Sequence, residues 1–236
     1  LGGDDALHLR SVLRLRRGEV VTATDARGAW RVCRYVSDGV LVVDGDVVVE
    51  GRPTPTITIG FAAVKGDRTD WAVQKLTEAG VDRIVVLRTD RSVVRWEGSR
   101  EASHLQRLRR VATQAAMQSR RVWLPEVAGV MPFAELAGVG AGGGVAAGGG
   151  VAGAEPGTWV GGVAGAGVAL AVPGGSPPAL EHPAVMVGPE GGWSEEEESC
   201  GLPAVSLGPA VMRTETAAVA AGVLLVALRS RLVAPA

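Results

Sequence analysis

Cysteine is nearly absent from this 236-residue chain: Cys33 and Cys200 are the only two, far apart and in no CxxC pair. That excludes a disulfide framework and points to free thiols in a reducing compartment. No sign of charge dominates either. There are 24 Lys and Arg against 25 Asp and Glu, a net charge of −1, so overall charge gives no argument for nucleic acid. Lysine is reduced to Lys65 and Lys75, so part of the arginine density is a bias of composition. No run of 18 uncharged apolar residues with helix-forming character occurs, and the best candidate, residues 217–228, is too short to cross a bilayer. A basic-then-apolar leader pattern is also missing, which gives the expectation of a cytoplasmic protein. The chain starts at Leu1 rather than Met, so an initial segment is expected to be missing. The G-x-x-x-x-G-K-[ST] fingerprint is absent, and no G-x-G-x-x-G opens a helix after a strand. Both common phosphate-cradling loops are thereby excluded.

What is present has an order. Residues 7–17 carry Leu9, Val12 and Leu13 on one helical face and Arg10, Arg14 and Arg17 on another, then stop at Gly18. From residue 19 to 50 the apolar period changes to 2. Strands are expected over 20–24, 30–36, 40–43 and 47–50, separated by turns at 25–28, Asp38-Gly39 and Asp44-Gly45. Four short antiparallel strands make a small sheet or barrel, an architecture that often binds RNA. Residues 50–55 read as a linker. A strand over 56–61, a helix from Thr69 or Asp70 to a stop at Gly80, and a strand over 83–87 give a β-α-β order, hence a parallel α/β sheet.

A helix over about 100–118 is expected to bury Ala102, Leu105, Leu108, Ala112 and Ala115. Its other side shows Arg107, Arg110, Gln114 and Gln118 and runs into Arg120-Arg121. The stretch 88–121 holds nine arginines against Asp90, Glu97 and Glu101. It fits either a phosphate backbone or a salt-bridged solvent face. Residues 138–175 are rich in Gly, Ala and Val and read mostly as a flexible insert, with one buried strand at 168–172 ending at Pro173.

Two Gly-Pro turns follow, each after a short apolar run and before a helix start: Val187-Gly188-Pro189-Glu190-Gly191-Gly192 and Leu207-Gly208-Pro209. Side by side at the carboxyl ends of parallel strands, they would form a ligand site. Ser194 and Glu197 fit a capping box. Glu195 to Glu198 put four carboxylates in the first turn of that helix, which disfavours phosphate and suits a neutral or cationic ligand. S-adenosylmethionine, with a sulfonium and no phosphate, fits. In the second turn Thr214 is the expected N-cap, and Arg213 is a possible ion-pair partner of Glu215 or Glu190.

The set Gly188-Pro-Glu-Gly-Gly192, Leu207-Gly-Pro-x-x-Met-Arg-Thr-Glu-Thr-Ala217, Gln118-Ser-x-Arg121-x-x-x-Pro125 and Gln74-Lys-x-x-Glu78-x-Gly80 resembles the RsmE family. These are 16S ribosomal RNA uracil-N3 methyltransferases of the SPOUT superfamily. The stretch from His8 to Glu19 is similar to that family's PUA-like domain. The likeness runs, in order, over nearly the whole chain. It implies a PUA-like β-barrel domain at 1–53 and a SPOUT domain at 54–236. The second is an α/β, mostly parallel sheet with a C-terminal trefoil knot, one of the rare exceptions to unknotted folds. It further implies a homodimer, no metal, and 16S ribosomal RNA within the 30S subunit as partner. S-adenosylmethionine would be held by Val172, Val187, Gly188, Pro189, Gly191, Gly192, Leu207, Gly208, Val211, Met212 and Thr216. Ala210 departs from the family, which usually has a larger, often basic residue there.

The reaction so implied is methyl transfer to N3 of a uridine, which first needs the N3 proton removed. Glu190 and Glu215 are the candidate bases, and Arg213 the group for charge developing on O2 and O4. Arg10, Arg14, Lys65, Arg120 and Arg121 are the expected RNA contacts. The alternatives are a ribose 2′-O-methyltransferase of the same superfamily and a non-catalytic ribosomal RNA-binding or assembly protein.

Overall fold

The computed structural model describes residue 2, residue 9 and residues 14–37, 39–136 and 167–234. The chain divides into two compact units. One joins residues 1–52 with Arg120–Leu124; the other joins Pro53–Ser119 with residues 125–236.

The smaller unit is an antiparallel sheet of β1 (Val20–Thr24), β2 (Ala29–Ser37), β3 (Val40–Val43) and β4 (Val48–Val49), with β2 pairing with all three others. The Asp25 carboxylate builds the first turn by accepting from the amides of Arg27 (2.7 Å) and Ala29 (3.0 Å). Arg120–Leu124 belongs to this unit through backbone pairing. The Gly28 amide donates to Val122 O at 3.0 Å, and that of Leu124 to Ala26 O at 3.1 Å. The Trp123 indole donates to Glu50 O at 3.1 Å. Gly28 has φ of 98°, and a Cβ there would stand 2.6 Å from the Trp123 ring, so the position requires glycine. The preceding helix ends at Gln118, Arg120 has φ of 56°, and Arg120 and Arg121 belong to the small unit. Most of the helix expected over 7–17 lies outside the described residues. Residues 14–16 are not helical, and Arg14 has φ of 52°.

The larger unit is a six-stranded sheet with every pair parallel, in the order β10-β8-β9-β5-β6-β7. The strands are β5 (Thr58–Ala62), β6 (Arg83–Arg88), β7 (Glu126–Pro132), β8 (Val168–Ser176), β9 (Ala184–Val187) and β10 (Ala204–Val205). Its helices are α1 (Arg68–Ala79), α2 (Ser99–Gln118), α3 (Phe133–Leu136), α4 (Glu195–Glu198) and α5 (Thr214–Arg229). All five residues of β5 are buried, as a central strand covered on both faces should be. The period of 2 sorts its neighbours: Ile59, Phe61, Ile84, Val86, Val185 and Val187 face one core with α1, α2 and α5. Val85, Leu87, Leu170, Ala184 and Met186 face the other with Phe133 and Trp193. Fully burying each Val, Leu, Ile, Phe or Met among them contributes about 1.5–3 kcal/mol.

Several boundaries differ from the sequence reading. β7 was not expected, because Gly129 and Pro132 break its pattern; β6 supplies the pairing. The strand expected to stop at Pro173 continues to Ser176, where the chain leaves β9 and pairs with β10. Ala102, expected in the core, is exposed, and Ala116 is buried instead. Of the expected flexible insert, residues 138–166 lie outside the described residues, while 167–175 lead into and form most of β8. Gly80 ends α1 in the left-handed conformation, φ 98°, as read.

One buried ion pair closes this unit. Arg229, in the last turn of α5, pairs with Asp82 between α1 and β6; their side chains are 9% and 4% exposed. Asp82 also accepts from the Ile57 amide at 2.8 Å, and Arg229 donates to Pro55 O and Gly80 O. Replacing Arg229 with Met strands a buried carboxylate. The expected loss is about 3–5 kcal/mol, read as a lower urea midpoint; an unchanged midpoint would show the pair to be dispensable.

Candidate functional site

The sheet grows outward from β5 in two directions, to β6 and β7 on one side and to β9, β8 and β10 on the other. The β5/β9 border is thus a topological switch point, where α/β sheets place ligand sites beyond the strand carboxyl ends. The first Gly-Pro loop leaves β9 there, and Lys65 to Asp67 leave β5 beside it.

Each glycine of the first loop has its own reason. Gly188 is under the Trp193 indole, so a Cβ would stand 3.1 Å from Cε2; Gly191 packs on Arg91, and Gly192 has φ of 71°. Trp193 is buried, and its Nε1 donates to Ala171 O at 3.2 Å, fastening the loop to β8. Sequence reading did not single out this residue, although a lone tryptophan after a glycine pair was the available signal.

Ser194 and Glu197 form the expected capping box, with bonds of 3.2 Å and 2.9 Å. Ser194 Oγ also donates to Asp90 at 2.6 Å, and Glu197 Oε1 accepts from the Asp90 amide at 3.0 Å. The loop after β6 is thereby locked to this helix start. Glu197 is consumed by structure, while Glu195, Glu196 and Glu198 are exposed.

The second loop differs from the sequence reading. Arg213, not Thr214, is the N-cap of α5, and its side chain makes no capping bond. Thr214 is the first helical residue, which frees its hydroxyl to reach across and donate to Gly188 O at 3.0 Å. That bond joins the two Gly-Pro loops. Glu215 does not pair with Arg213, the partner expected for it. Its Oε1 meets Arg68 NH1 at 3.2 Å, with the Glu215 side chain 7% exposed. Its Oε2 is buried without a hydrogen-bond partner among the described residues. Arg213 is exposed and forms no ion pair among the described residues.

Val187 ends β9 and Pro189 is buried; Val172, Gly188, Leu207 and Met212 are half-buried. Met212 folds back on Gly208, whose φ is 150°, placing Cε 3.2 Å from a Cβ built there. Gly191, Gly192, Glu190, Val211 and Thr216 are exposed, Val211 to 90%. Glu190 makes no contact with Arg213 or Glu215 among the hydrogen bonds and ion pairs described. Of the expected RNA contacts, Arg14, Arg120 and Arg121 share the small unit, Lys65 is exposed in the large one, and Arg10 lies outside the described residues. Among the described residues the large unit holds two cavities of similar size. One, of about 480 Å³, is bounded by Gly174–Pro177, Ala179, Glu181, His182 and Pro203–Val205. The other, of about 460 Å³, is bounded by Arg88–Asp90, Arg95, Pro132–Ala134, Glu196, Glu197 and Cys200. Neither is lined by the expected cofactor residues.

The donor set decides which ligand suits these loops. A buried carboxylate oxygen without a donor, and an acidic helix start, favour a ligand bearing N–H groups or positive charge and oppose phosphate. Among the described residues no cluster of His, Cys, Asp and Glu could hold a metal ion, and no helix is long and apolar enough to cross a membrane.

The model of an RNA methyltransferase domain matches residues 51–140 and 175–226. The ribosomal RNA small subunit methyltransferase E of Mycobacterium tuberculosis is 31% identical over 231 residues, covering 93% of this chain and 82% of that protein. The chain belongs to this methyltransferase family. The Bacillus subtilis member is 28% identical, covering 91% of this chain and 84% of its own length. The fold agrees with two solved structures that hold S-adenosylmethionine. The Neisseria gonorrhoeae methyltransferase E is 25% identical, with a TM-score of 0.71 over 98% of this chain and 90% of that one. A Legionella pneumophila methyltransferase is 26% identical, with a TM-score of 0.73 over 95% and 89%.

The first Gly-Pro loop thus rests on a cap, which can be tested directly. Ser194→Ala removes the box and the Asp90 bond, and should cost about 0.5–2 kcal/mol in a chemical melt. Thermal and chemical stability equal to wild type would show that Asp90 and Glu197 hold the loop without the hydroxyl.

Proposed function

We propose that this protein is an S-adenosylmethionine-dependent methyltransferase acting on N3 of a uridine in 16S ribosomal RNA of the small ribosomal subunit. Membership of the methyltransferase E family supports the enzyme class and the ribosomal RNA substrate. The observation that carries the site is the bond from Thr214 to Gly188 O, which joins the two loops beside a carboxylate oxygen awaiting a donor. In this reading residues 187–192 and 207–216, with Val172, hold the cofactor. Its contribution when bound is an electrophilic methyl group.

The chain's own residues then have distinct tasks. The loops exclude phosphate and position the target base, and positioning alone is a large part of such catalysis. Glu215 Oε2 takes the proton from uracil N3, with exposed Glu190 as the alternative base. Arg213 stabilises the charge this leaves on O2 and O4. The base must leave its stack to reach these groups. Arg10, Arg14, Lys65, Arg120 and Arg121 contact the RNA backbone, the four arginines on a PUA-like small unit.

The finer architecture belongs to the same proposal: a cytoplasmic homodimer, without a metal, whose C-terminal segment is knotted. In support of the knot, only residues 171–183 separate the paired stretches Val168–Leu170 and Ala184–Met186 of two parallel strands, and α5 then packs back on β5 and β9. The decisive experiment treats unmodified 30S subunits with the protein and labelled cofactor and maps the methyl group by mass. The expected product is N3-methyluridine; a ribose 2′-O-methyl group or no transfer would overturn the reading. Glu215→Gln should lower kcat about 10²–10⁴-fold. Cofactor affinity measured by calorimetry should stay within about twofold. Wild-type turnover would remove Glu215 as the base.

A further inference from the structure

We infer that Arg68 is a positioning residue for methyl transfer, holding Glu215 so that Oε2 faces the proton to be removed; this rests on the proposed reaction. Arg68 opens α1 at the carboxyl end of β5. Its Nε donates to Lys65 O at 3.2 Å, which fixes the side chain to its own loop. Its NH1 meets Glu215 Oε1 at 3.2 Å. One guanidinium therefore spans the loop after β5 and the first turn of α5, beside the Thr214 bond to the loop after β9.

The asymmetry of Glu215 gives the arrangement its meaning. A carboxylate held only for stability would present both oxygens to donors, since a buried acceptor left unmade costs about 1–3 kcal/mol. Here one oxygen is held by Arg68, and the other is buried with no partner among the described residues. A fixed Oε1 leaves the carboxylate little freedom to rotate, so Oε2 keeps one direction. The ligand group that completes it is an N–H donor, which uracil N3 provides. The Arg68 side chain is itself 36% exposed, against 7% for Glu215.

A double-substitution cycle tests this. Arg68→Gln should lower kcat about 30–100-fold with KM for 30S subunits unchanged. Arg68→Lys, which keeps a charge but not the fork, should recover part of the loss. In the Glu215→Gln background, Arg68→Gln should cost less than threefold more, because the two act through one atom. Calorimetric affinity for S-adenosylmethionine should be within twofold of wild type in all variants, which also establishes that the variants are folded. A full additional loss in the double variant, or a raised KM with unchanged kcat, would make Arg68 an independent RNA contact and overturn the inference. Weakened cofactor affinity in Arg68→Gln would overturn it by making Arg68 a binding residue. If wild-type protein makes no N3-methyluridine, the proposed reaction fails first, and that result is read before any variant is compared.

Discussion

The larger unit depends on one carboxylate. Asp82 lies between α1 and β6, yet it receives the Ile57 amide ahead of β5 and the Arg229 guanidinium at the end of α5. Arg229 in turn donates to the carbonyls of Pro55 and Gly80. A buried charge is costly unless paired and fully hydrogen-bonded. The strand entry, the helix stop and the last helical turn must therefore form together. The opposite end of α5 begins at Thr214 and Glu215. The pair thus anchors the helix whose first turn carries both of those side chains.

The loops at the other end repeat the principle with single hydrogen bonds in place of an ion pair. Trp193 ties the first Gly-Pro loop to β8, Ser194 and Glu197 tie its helix to the loop after β6, and Thr214 ties the second loop to the first. Each bond is modest, about 0.5–1.5 kcal/mol for those to backbone carbonyls and about 1.5–3 kcal/mol for those to a carboxylate. Together they leave little freedom for the segments that would enclose a ligand. In the first loop a neighbour crowds out a side chain at Gly188, and a left-handed backbone disfavours one at Gly192.

Much of this was legible in the sequence, and the failures have physical causes. Strong periodicity revealed β1 to β3, α1 with its Gly80 stop, α2 and the parallel order, because those elements pack one clean face. The capping box was readable since its partners are three residues apart. Long-range partners were not readable. Arg213 was expected to pair with Glu215 or Glu190, near neighbours in sequence or motif, yet Glu215 meets Arg68 instead. Thr214 had the chemistry of an N-cap, but tertiary demand from Gly188 moved the cap to Arg213. β7 escaped notice because its glycine and proline weaken the local signal, and only pairing with β6 makes it a strand.

The return of Arg120–Leu124 to the small sheet bears on the history of the chain. A domain acquired by simple end-to-end fusion has one junction, and can be lost or exchanged at that point. Here the small unit needs Trp123 to complete its contact with Gly28 and Glu50, and Trp123 is encoded between α2 and β7 of the large one. The two units are therefore interleaved in the gene. Neither can be shuffled away whole by a single recombination, and the pair is inherited as one object.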